Sequence, residues 1–395
     1  MAATLPITPS AGPLPQPPPR VLTLTPFYPT HNDDAQGCFV AEPLSAIEPM
    51  GVRSRVIAVQ PFYYPRQSSH PRAVSDRRRY FSLPAGLGLP LAGAFLYARV
   101  VGQVRAMHRS HPLHVVHAHS ALPCGHAAAL LSRELGIPFV VTVHGLDAFS
   151  TSQVPGLAGQ WCNRMSKWVY RSARQVICVS EKVREQVAKA GLFRTTVLHN
   201  GVDPQLFAPR NHGSPSPTLL SVGNLIPTKG HDLLLRAFAR IHQGFPGLSC
   251  NIIGDGPEAA RLRALAAELQ IANKVRFLGR QSRAQVAEAM QACTIFVLPS
   301  RYEGLGCVYL EAMSAGKPVI ACRGQGMDDV IIHDYNGFLT EPGDLERLSA
   351  TLSALLADAP RRMRTGSAAR RTVLDGFTLQ HQAARLASLY RECMA

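Results

Sequence analysis

The chain has few acidic residues, few tryptophans and no long unbroken apolar run, and each shortage narrows the reading. Only 26 Asp and Glu stand against 41 Lys and Arg, and the 395 residues include two Trp. The formal charge of +15 suits an anionic partner, such as phospholipid headgroups, a lipid diphosphate or nucleic acid. The excess is uneven: residues 1–205 carry 20 Lys+Arg against 10 Asp+Glu, residues 206–395 carry 21 against 16. Nine cysteines (38, 124, 162, 178, 250, 293, 307, 322 and 393) are scattered without a C-x-x-C pair. That spacing excludes a zinc ribbon and reads as buried small hydrophobes in a reducing compartment. Met1 to Arg20 is proline-rich and has no apolar core, so it reads as a disordered lead-in rather than a signal peptide. The most apolar window, Leu83 to Val104, is interrupted by Pro84, Gly86, Gly88, Pro90 and Gly93 and carries Arg99, which argues against a spanning helix.

What is present is a strand–loop–helix rhythm, run twice. Arg20 to Thr25 reads as a strand, followed by a long loop ending at Gly37, a helix from Phe39 to Met50 and a strand from Val52 to Val59. That is one βαβ unit. Strands follow at His114–His119, Phe139–Val143 and Gln175–Val179, with Ser180 as the cap of the next helix. The stretch 61–82, with Tyr63, Tyr64, Arg66, Arg72, Arg77, Arg78, Arg79 and Tyr80, reads as an irregular basic and aromatic insertion. Such a segment suits RNA, a lipid-linked sugar diphosphate at a membrane, or plain solvent. His117 and His119 share one face of their strand. No third ligand at matching position completes a metal site, so His117 reads as a satisfied core histidine.

After a Pro/Ser/Gly-rich linker the rhythm restarts. Thr218–Val222 is a strand, Gly223–Gly230 a loop and His231–Gln243 a helix. Strands at Cys250–Ile253 and Val275–Leu278 follow, with the loop Gly254-Asp-Gly-Pro257 after the first of them. Two successive doubly wound α/β sheets place a site in the cleft between them.

One stretch organises the second half. Thr294 to Leu298 is a strand that stops at Pro299; Glu303-Gly304-Leu305-Gly306 is a tight turn; Cys307 to Ala315 is a helix ended by Gly316 and Pro318. Amides of a Gly-rich turn at a helix N-terminus favour an anion such as phosphate. Glu303 and Glu311 flank that turn. Carboxylates repel phosphate, so their place beside such a pocket is to accept from sugar hydroxyls.

This stretch resembles the E-x7-E motif of family 4 of the retaining glycosyltransferases, enzymes of the GT-B architecture. The same resemblance covers H-G-x-D at 144–147, N-G-V-D at 200–203, V-G-N-L-x-x-x-K-G at 222–230 and G-D-G-P at 254–257, in family order over about residues 20 to 375. It implies two Rossmann-like domains facing a central cleft. Residues 20–207 would bind the acceptor, 208–216 link, and 217–375 bind the nucleotide-sugar donor. Residues 1–19 would be the lead-in, and 376–395 a C-terminal helix free to pack back on the first domain.

The resemblance further implies a catalytic set of His144, Lys229 and Glu303. A donor-binding set would comprise Gly37, Asn224, Lys229, Gly254, Gly256, Glu303, Gly304, Leu305, Gly306 and Glu311. In it His144 reaches the transferred sugar, Glu303 its hydroxyls and Glu311 the ribose. Asn224 stands where the family usually has Arg, so Lys229 carries more of the diphosphate charge. No metal and no cofactor are expected, because a lysine can do the work of a divalent ion and no D-x-D motif stands at a strand end. The implied activity is retaining transfer of a hexose from a UDP- or GDP-sugar to a glycan or polyprenyl-diphosphate-linked acceptor in polysaccharide synthesis. The implied enzyme is cytoplasmic and rests on the anionic inner face of the plasma membrane. Two alternatives stay open: a nucleotide-sugar epimerase of the same architecture, and a basic nucleic-acid-binding protein, although no RRM, KH or zinc pattern supports the latter and no nucleic acid is expected as a partner.

Overall fold

The computed structural model describes residues 17–394 except 31–32, 66–74, 85, 146–153, 155 and 211–215. The lead-in, Arg66, Arg72, Asp147 and most of the linker therefore lie outside the described residues. The first half builds one seven-stranded parallel sheet from β1 (Arg20–Thr25), β2 (Arg53–Pro61), β3 (Ser75–Tyr80), β4 (Val115–His119), β5 (Phe139–Val143), β6 (Gln175–Cys178) and β7 (Thr195–Val197), in the order β3-β2-β1-β4-β5-β6-β7. Its central strands are buried along their length, as VVHAH and FVVTV require when helices cover both faces. The covering helices are α1 (Cys38–Ile47), α2 (Leu89–Ser110), α3 (His126–Leu135), α4 (Gly156–Ser172) and α5 (Glu181–Ala188).

The second half repeats the plan with six strands. These are β8 (Thr218–Val222), β9 (Ser249–Ile253), β10 (Val275–Phe277), β11 (Ile295–Val297), β12 (Val319–Cys322) and β13 (Phe338–Thr340), ordered β10-β9-β8-β11-β12-β13. Helices α6 (His231–Ile241), α7 (Ala259–Glu268), α8 (Arg283–Ala292), α9 (Cys307–Ser314), α10 (Leu345–Ala357) and α11 (Ala359–Gly376) pack around it. In both sheets the order reverses beside the first strand, between β1 and β4 and between β8 and β11. Those are the switch points where doubly wound sheets hold ligands.

One expectation changes. The basic stretch is not irregular throughout: Ser75–Tyr80 is an edge strand pairing in parallel with β2 from Val56↔Ser75 to Pro61↔Tyr80. A run of Asp and Arg hides a strand from hydrophobic pattern, and charge at a sheet edge is a common guard against further pairing. Arg77 is committed inside the domain, donating to the carbonyls of Tyr28 (3.1 Å) and Pro29 (2.5 Å), and Arg78 donates to Gln103 (2.7 Å). The reading of Leu83 to Val104 as no spanning helix holds, and most of the stretch is the helix α2. Its buried stripe, Ala92, Leu96, Val100 and Val104, recurs every fourth residue and faces the sheet, while Leu91, Phe95 and Arg99 face out. Among the described residues no helix is long and apolar enough to cross a membrane.

The chain ends in α12 (Leu379–Met394), which returns to the first sheet and packs on α1. Ala383, Leu386, Ala387 and Tyr390 join Val21, Val115, Val140 and Ile177 in one apolar cluster. Tyr390 bonds His117 Nδ1 at 2.6 Å, and His117 Nε2 reaches Thr142 at 2.7 Å. Both ring nitrogens are satisfied, so His117 is the core histidine that the sequence suggested. Burial, helped by the neighbouring His144, lowers it to about 3. A histidine neutral when folded but able to bind a proton when unfolded stabilises the fold only above its unfolded value. That contribution is complete above pH ~6.5 and is lost as pH falls toward 3, by about 1.4 kcal/mol per unit. His117→Gln removes this proton linkage while keeping a polar side chain. The expected result is a shallower loss of stability between pH 6.5 and 4 in urea melts, with a lower plateau at pH 7.5.

Candidate functional site

The carboxyl ends of β8 and β11 meet at the second switch point, and the side chains there come from the loops that follow them. After β8, Gly223–Lys229 turns back on itself. The next loop nests beneath it, because Gly254, at φ 140°, lets its backbone lie where a Cβ would run into the Gly223 carbonyl. Gly256 passes Leu225 in the same way. These two glycines shape the floor. Asn224 stands exposed on the upper loop.

Lys229 ends the loop and forms an ion pair with Glu303 Oε1. Glu303 is buried and held on three sides: Ser300 Oγ donates to the same oxygen at 3.1 Å, Gln325 accepts from its amide at 3.1 Å, and Gly326 N donates to its carbonyl at 3.2 Å. Arg301 ties the two loops together through the carbonyls of Thr228 (from its amide, 2.7 Å) and Pro227 (from its guanidinium, 2.6 Å). Leu305 is buried and Gly306 caps α9, so the turn's amides sit at that helix's N-terminus. A lysine, a carboxylate and a helix N-terminus thus share one small region, with positive field for an anion and an acceptor for hydroxyls.

The first domain supplies the opposite wall. Gly304 packs so closely on the His144 carbonyl that a Cβ would overlap it, and Ser180 Oγ donates to the Gly304 carbonyl. Glu181 N donates to Asp329 Oδ2 at 2.7 Å, His199 meets the same oxygen at 2.9 Å, and Tyr302 donates to Gln186 at 2.9 Å. His144 itself is half-buried. Its ring stacks on His119 (centroids 5.2 Å, 14°), its Nε2 lies 2.9 Å from His119 Nδ1, and Phe27 and Phe39 meet it edge-on. Burial lowers His144 to about 4 and puts His119 well below its ordinary value, with His117 and then His144 adding to the latter shift. The wall is a row of neutral imidazoles.

The expected residues fall into three groups. Lys229, Glu303, Gly304, Leu305 and Gly306 come together, with His144 across the cleft. Gly254, Gly256 and Asn224 form the adjoining loops. Gly37 caps α1 in the first domain, its backbone pressed on Phe27 and Tyr28. Glu311 is buried at 3 % exposure and paired with Arg283, a residue the sequence reading did not single out. Arg283 also takes Glu42 of the first domain. Ser180, His119 and Asp329 are further contributors without an assigned role from sequence. Ser180 was legible only as a cap; its partner Gly304 is 124 residues away. Among the described residues no cluster of metal-ligating side chains is found.

Comparison with known proteins agrees with the two-sheet architecture. Residues 203–372 match the family model for glycosyl transferases group 1, and residues 42–206 that for glycosyltransferase family 4. An uncharacterized glycosyltransferase of Methanocaldococcus jannaschii is 33% identical over 240 residues, which cover 60% of this chain and 64% of that protein. A GDP-mannose-dependent alpha-(1-6)-phosphatidylinositol monomannoside mannosyltransferase of Mycolicibacterium smegmatis is 28% identical over 73% of this chain and 79% of its own. In fold, the Anabaena HepE structure in complex with UDP and glucose aligns with a TM-score of 0.76 at 21% identity, over 94% of this chain and 99% of that one. A sucrose-phosphate synthase from Thermosynechococcus elongatus aligns with a TM-score of 0.75 at 22% identity, over 94% and 98%.

Ser180 carries two loads, capping α5 through Val183 N at 3.2 Å and bonding Gly304 across the cleft. Ser180→Ala removes both. The expected loss is about 1–3 kcal/mol, a cap plus a buried acceptor left unmet. It is read as a drop in the urea midpoint.

Proposed function

The chain belongs to the family 4, group 1 glycosyltransferases, and on that footing we propose that it moves a hexose from a nucleoside-diphosphate sugar to a glycan or polyprenyl-diphosphate-linked acceptor, with retention at the anomeric carbon. The observation that carries this is the meeting of Lys229, Glu303 and the α9 N-terminus at the switch point, opposite His144. As the bond from the anomeric carbon to the leaving oxygen breaks, negative charge grows on the diphosphate. Lys229 and the amides of Gly304–Gly306 border one region, where Lys229 exchanges its Glu303 partner for the diphosphate to receive that charge. Glu303, fixed by Ser300 and Gln325, accepts from sugar hydroxyls and seats the ring. His144, neutral at pH 7, serves as a hydrogen-bonding group rather than a cation. In this reading the positive field comes from the protein, so no metal is required. Retention follows from family membership. The names of the relatives support both bases: GDP for the mycobacterial mannosyltransferase, UDP for HepE.

The test is a screen of UDP- and GDP-hexoses by acceptor-dependent nucleotide release in excess EDTA, with product linkage read by NMR. Activity abolished by EDTA and restored by magnesium or manganese would contradict the metal-free reading. Lys229→Ala is expected to lower turnover at least ~100-fold, on the order of the 2.7–4 kcal/mol attached to one preorganised donor. Unchanged turnover at saturating donor would remove Lys229 from the role.

A lipid-linked acceptor requires that the first domain reach a cytoplasmic membrane surface, and one patch supports that. At the carboxyl ends of β2 and β3, on the cleft side of the sheet, Phe62 stacks on Phe81 (5.4 Å, 6°), and Phe81 meets Phe95 of α2 edge-on at 5.2 Å. Tyr63, Tyr64, Leu83, Leu87 and Leu91 extend it, all 40–65% exposed. Contiguous exposed aromatics of this kind suit a membrane interface. Arg77 and Arg78 are occupied within the domain, so attachment rests on apolar insertion more than on those arginines. Co-sedimentation with anionic vesicles should then keep a large part of its strength at 1 M salt, where the Debye length is ~3 Å. It should be lost in a Phe62→Ser, Phe81→Ser, Phe95→Ser variant.

A further inference from the structure

One buried side chain of the second domain reaches a carboxylate of the first. Arg283 begins α8 in the second domain and is only 9% exposed. Its Nη1 pairs with Glu311 Oε1 of α9. Its Nε and Nη2 form a fork on Glu42 of α1, at 2.9 and 3.0 Å, across the domain boundary. Its backbone amide donates to Asp34 at 3.1 Å, and its guanidinium lies over the ring of Phe207, 4.9 Å from the centroid. The guanidinium plane is therefore set by contacts from three separate stretches of chain, Glu42, Glu311 and Phe207, while Asp34 holds the backbone.

The electrostatics of this cluster are lopsided. Burial works against the charge on Arg283, but Glu311 and Glu42 outweigh it and hold the guanidinium firmly protonated. Burial raises Glu42 despite the arginine's opposing pull. Two carboxylates share one cation. Glu311 Oε2 is buried and accepts no hydrogen bond among the described residues. An acceptor oxygen so held, on a fixed carboxylate, fits hydroxyl donors rather than another anion.

We propose that Arg283 is a positioning residue for Glu311, seated from the opposite domain by Glu42, so that nucleoside affinity in the second domain depends on a carboxylate of the first. This rests on the nucleotide-sugar reading, in which Glu311 meets the ribose. Glu42 fixes the fork, the fork fixes Glu311 Oε1, and Oε2 is left as the carboxylate's unfilled acceptor for the ribose hydroxyls. Lysine cannot reproduce this, because one ammonium has no planar fork to span two carboxylates.

The test is calorimetric titration of the full chain with UDP and GDP, and with the 2′,3′-dideoxy form of whichever binds more tightly. The parent should bind the ribonucleotide at least ~10-fold better than its dideoxy form, the scale of hydrogen bonds to a charged acceptor. Glu42→Gln should weaken the ribonucleotide ~3- to 10-fold and leave the dideoxy form unchanged, as expected for a partial loss of the same bonds. Arg283→Met should weaken it further, and the double variant should match Arg283→Met alone, because both changes break one chain of contacts. Arg283→Lys should fall near Glu42→Gln. In turnover assays the losses should appear in donor KM, with kcat at saturating donor nearly constant. Glu42→Gln binding like the parent, equal weakening of both nucleotides, or tighter binding by Arg283→Met would each overturn the proposal. If Arg283→Met does not fold, the nearly isosteric Glu42→Gln decides. A parent that fails to distinguish ribose from dideoxyribose removes the ribose role of Glu311 itself, and the proposal falls with that premise rather than on the Glu42 link.

Discussion

At the centre of the cleft the two domains meet backbone on backbone. Gly304 meets the His144 carbonyl with no space for a side chain, and Ser180 bonds the Gly304 carbonyl from the same side. Every functional relation across the cleft depends on this contact. It sets the Glu303 turn directly opposite the imidazole row, and it brings α8 close enough for Arg283 to reach Glu42. A side chain at position 304 would hold the walls apart by about a Cβ, and hydrogen bonds weaken steeply on that scale. The Gly-rich turn therefore does two jobs: it offers amides at the start of α9, and it lets the domains close.

The two walls carry different chemistry for a physical reason. The first-domain wall is apolar and aromatic around His117, His119 and His144, and burial keeps those rings neutral. The second-domain wall concentrates formal charge, but in fixed sets: Lys229 with Glu303, and Arg283 with Glu311 and with Glu42 of the first domain. Under the proposed function, a sugar diphosphate entering between them meets cations that already have partners. Its binding is an exchange of partners within a fixed frame, which selects for geometry more than for charge alone.

Much of this was legible in the sequence because it is local. The double βαβ rhythm, the Gly-rich loops at 223–230, 254–257 and 303–306, and the cap at Ser180 are each written in a few consecutive residues. The two-sheet architecture followed from them and matches the GT-B neighbours. What stayed hidden depends on long-range contact. β3 is spelled in Asp and Arg, and only its pairing with β2 makes it a strand. Arg283 sits in an ordinary capped helix start, Ser282 to Gln285, and its partner Glu42 is 241 residues away. His119 looks like His117 in sequence, yet one is tied to Tyr390 and the other to His144.

Net charge was the least informative sequence feature about where the cleft would be. Part of the excess of the first half lies away from the cleft, at the amino ends of its strands. Arg20, Arg53 and Arg55 line a cavity of about 340 Å³ there, and Arg171, Arg174 and Arg194 line another of about 590 Å³. Both lie at the ends of the strands opposite His119 and His144. Cations that border the cleft, Lys229, Arg280, Arg283 and Arg301 among them, belong to the less basic half, and each is held by a carboxylate. A count of charges thus describes the field far from the molecule, where it steers association with anionic surfaces. Chemistry in the cleft is set by a few charges whose neighbours are fixed, and those are located by topology, at the ends of β8 and β11.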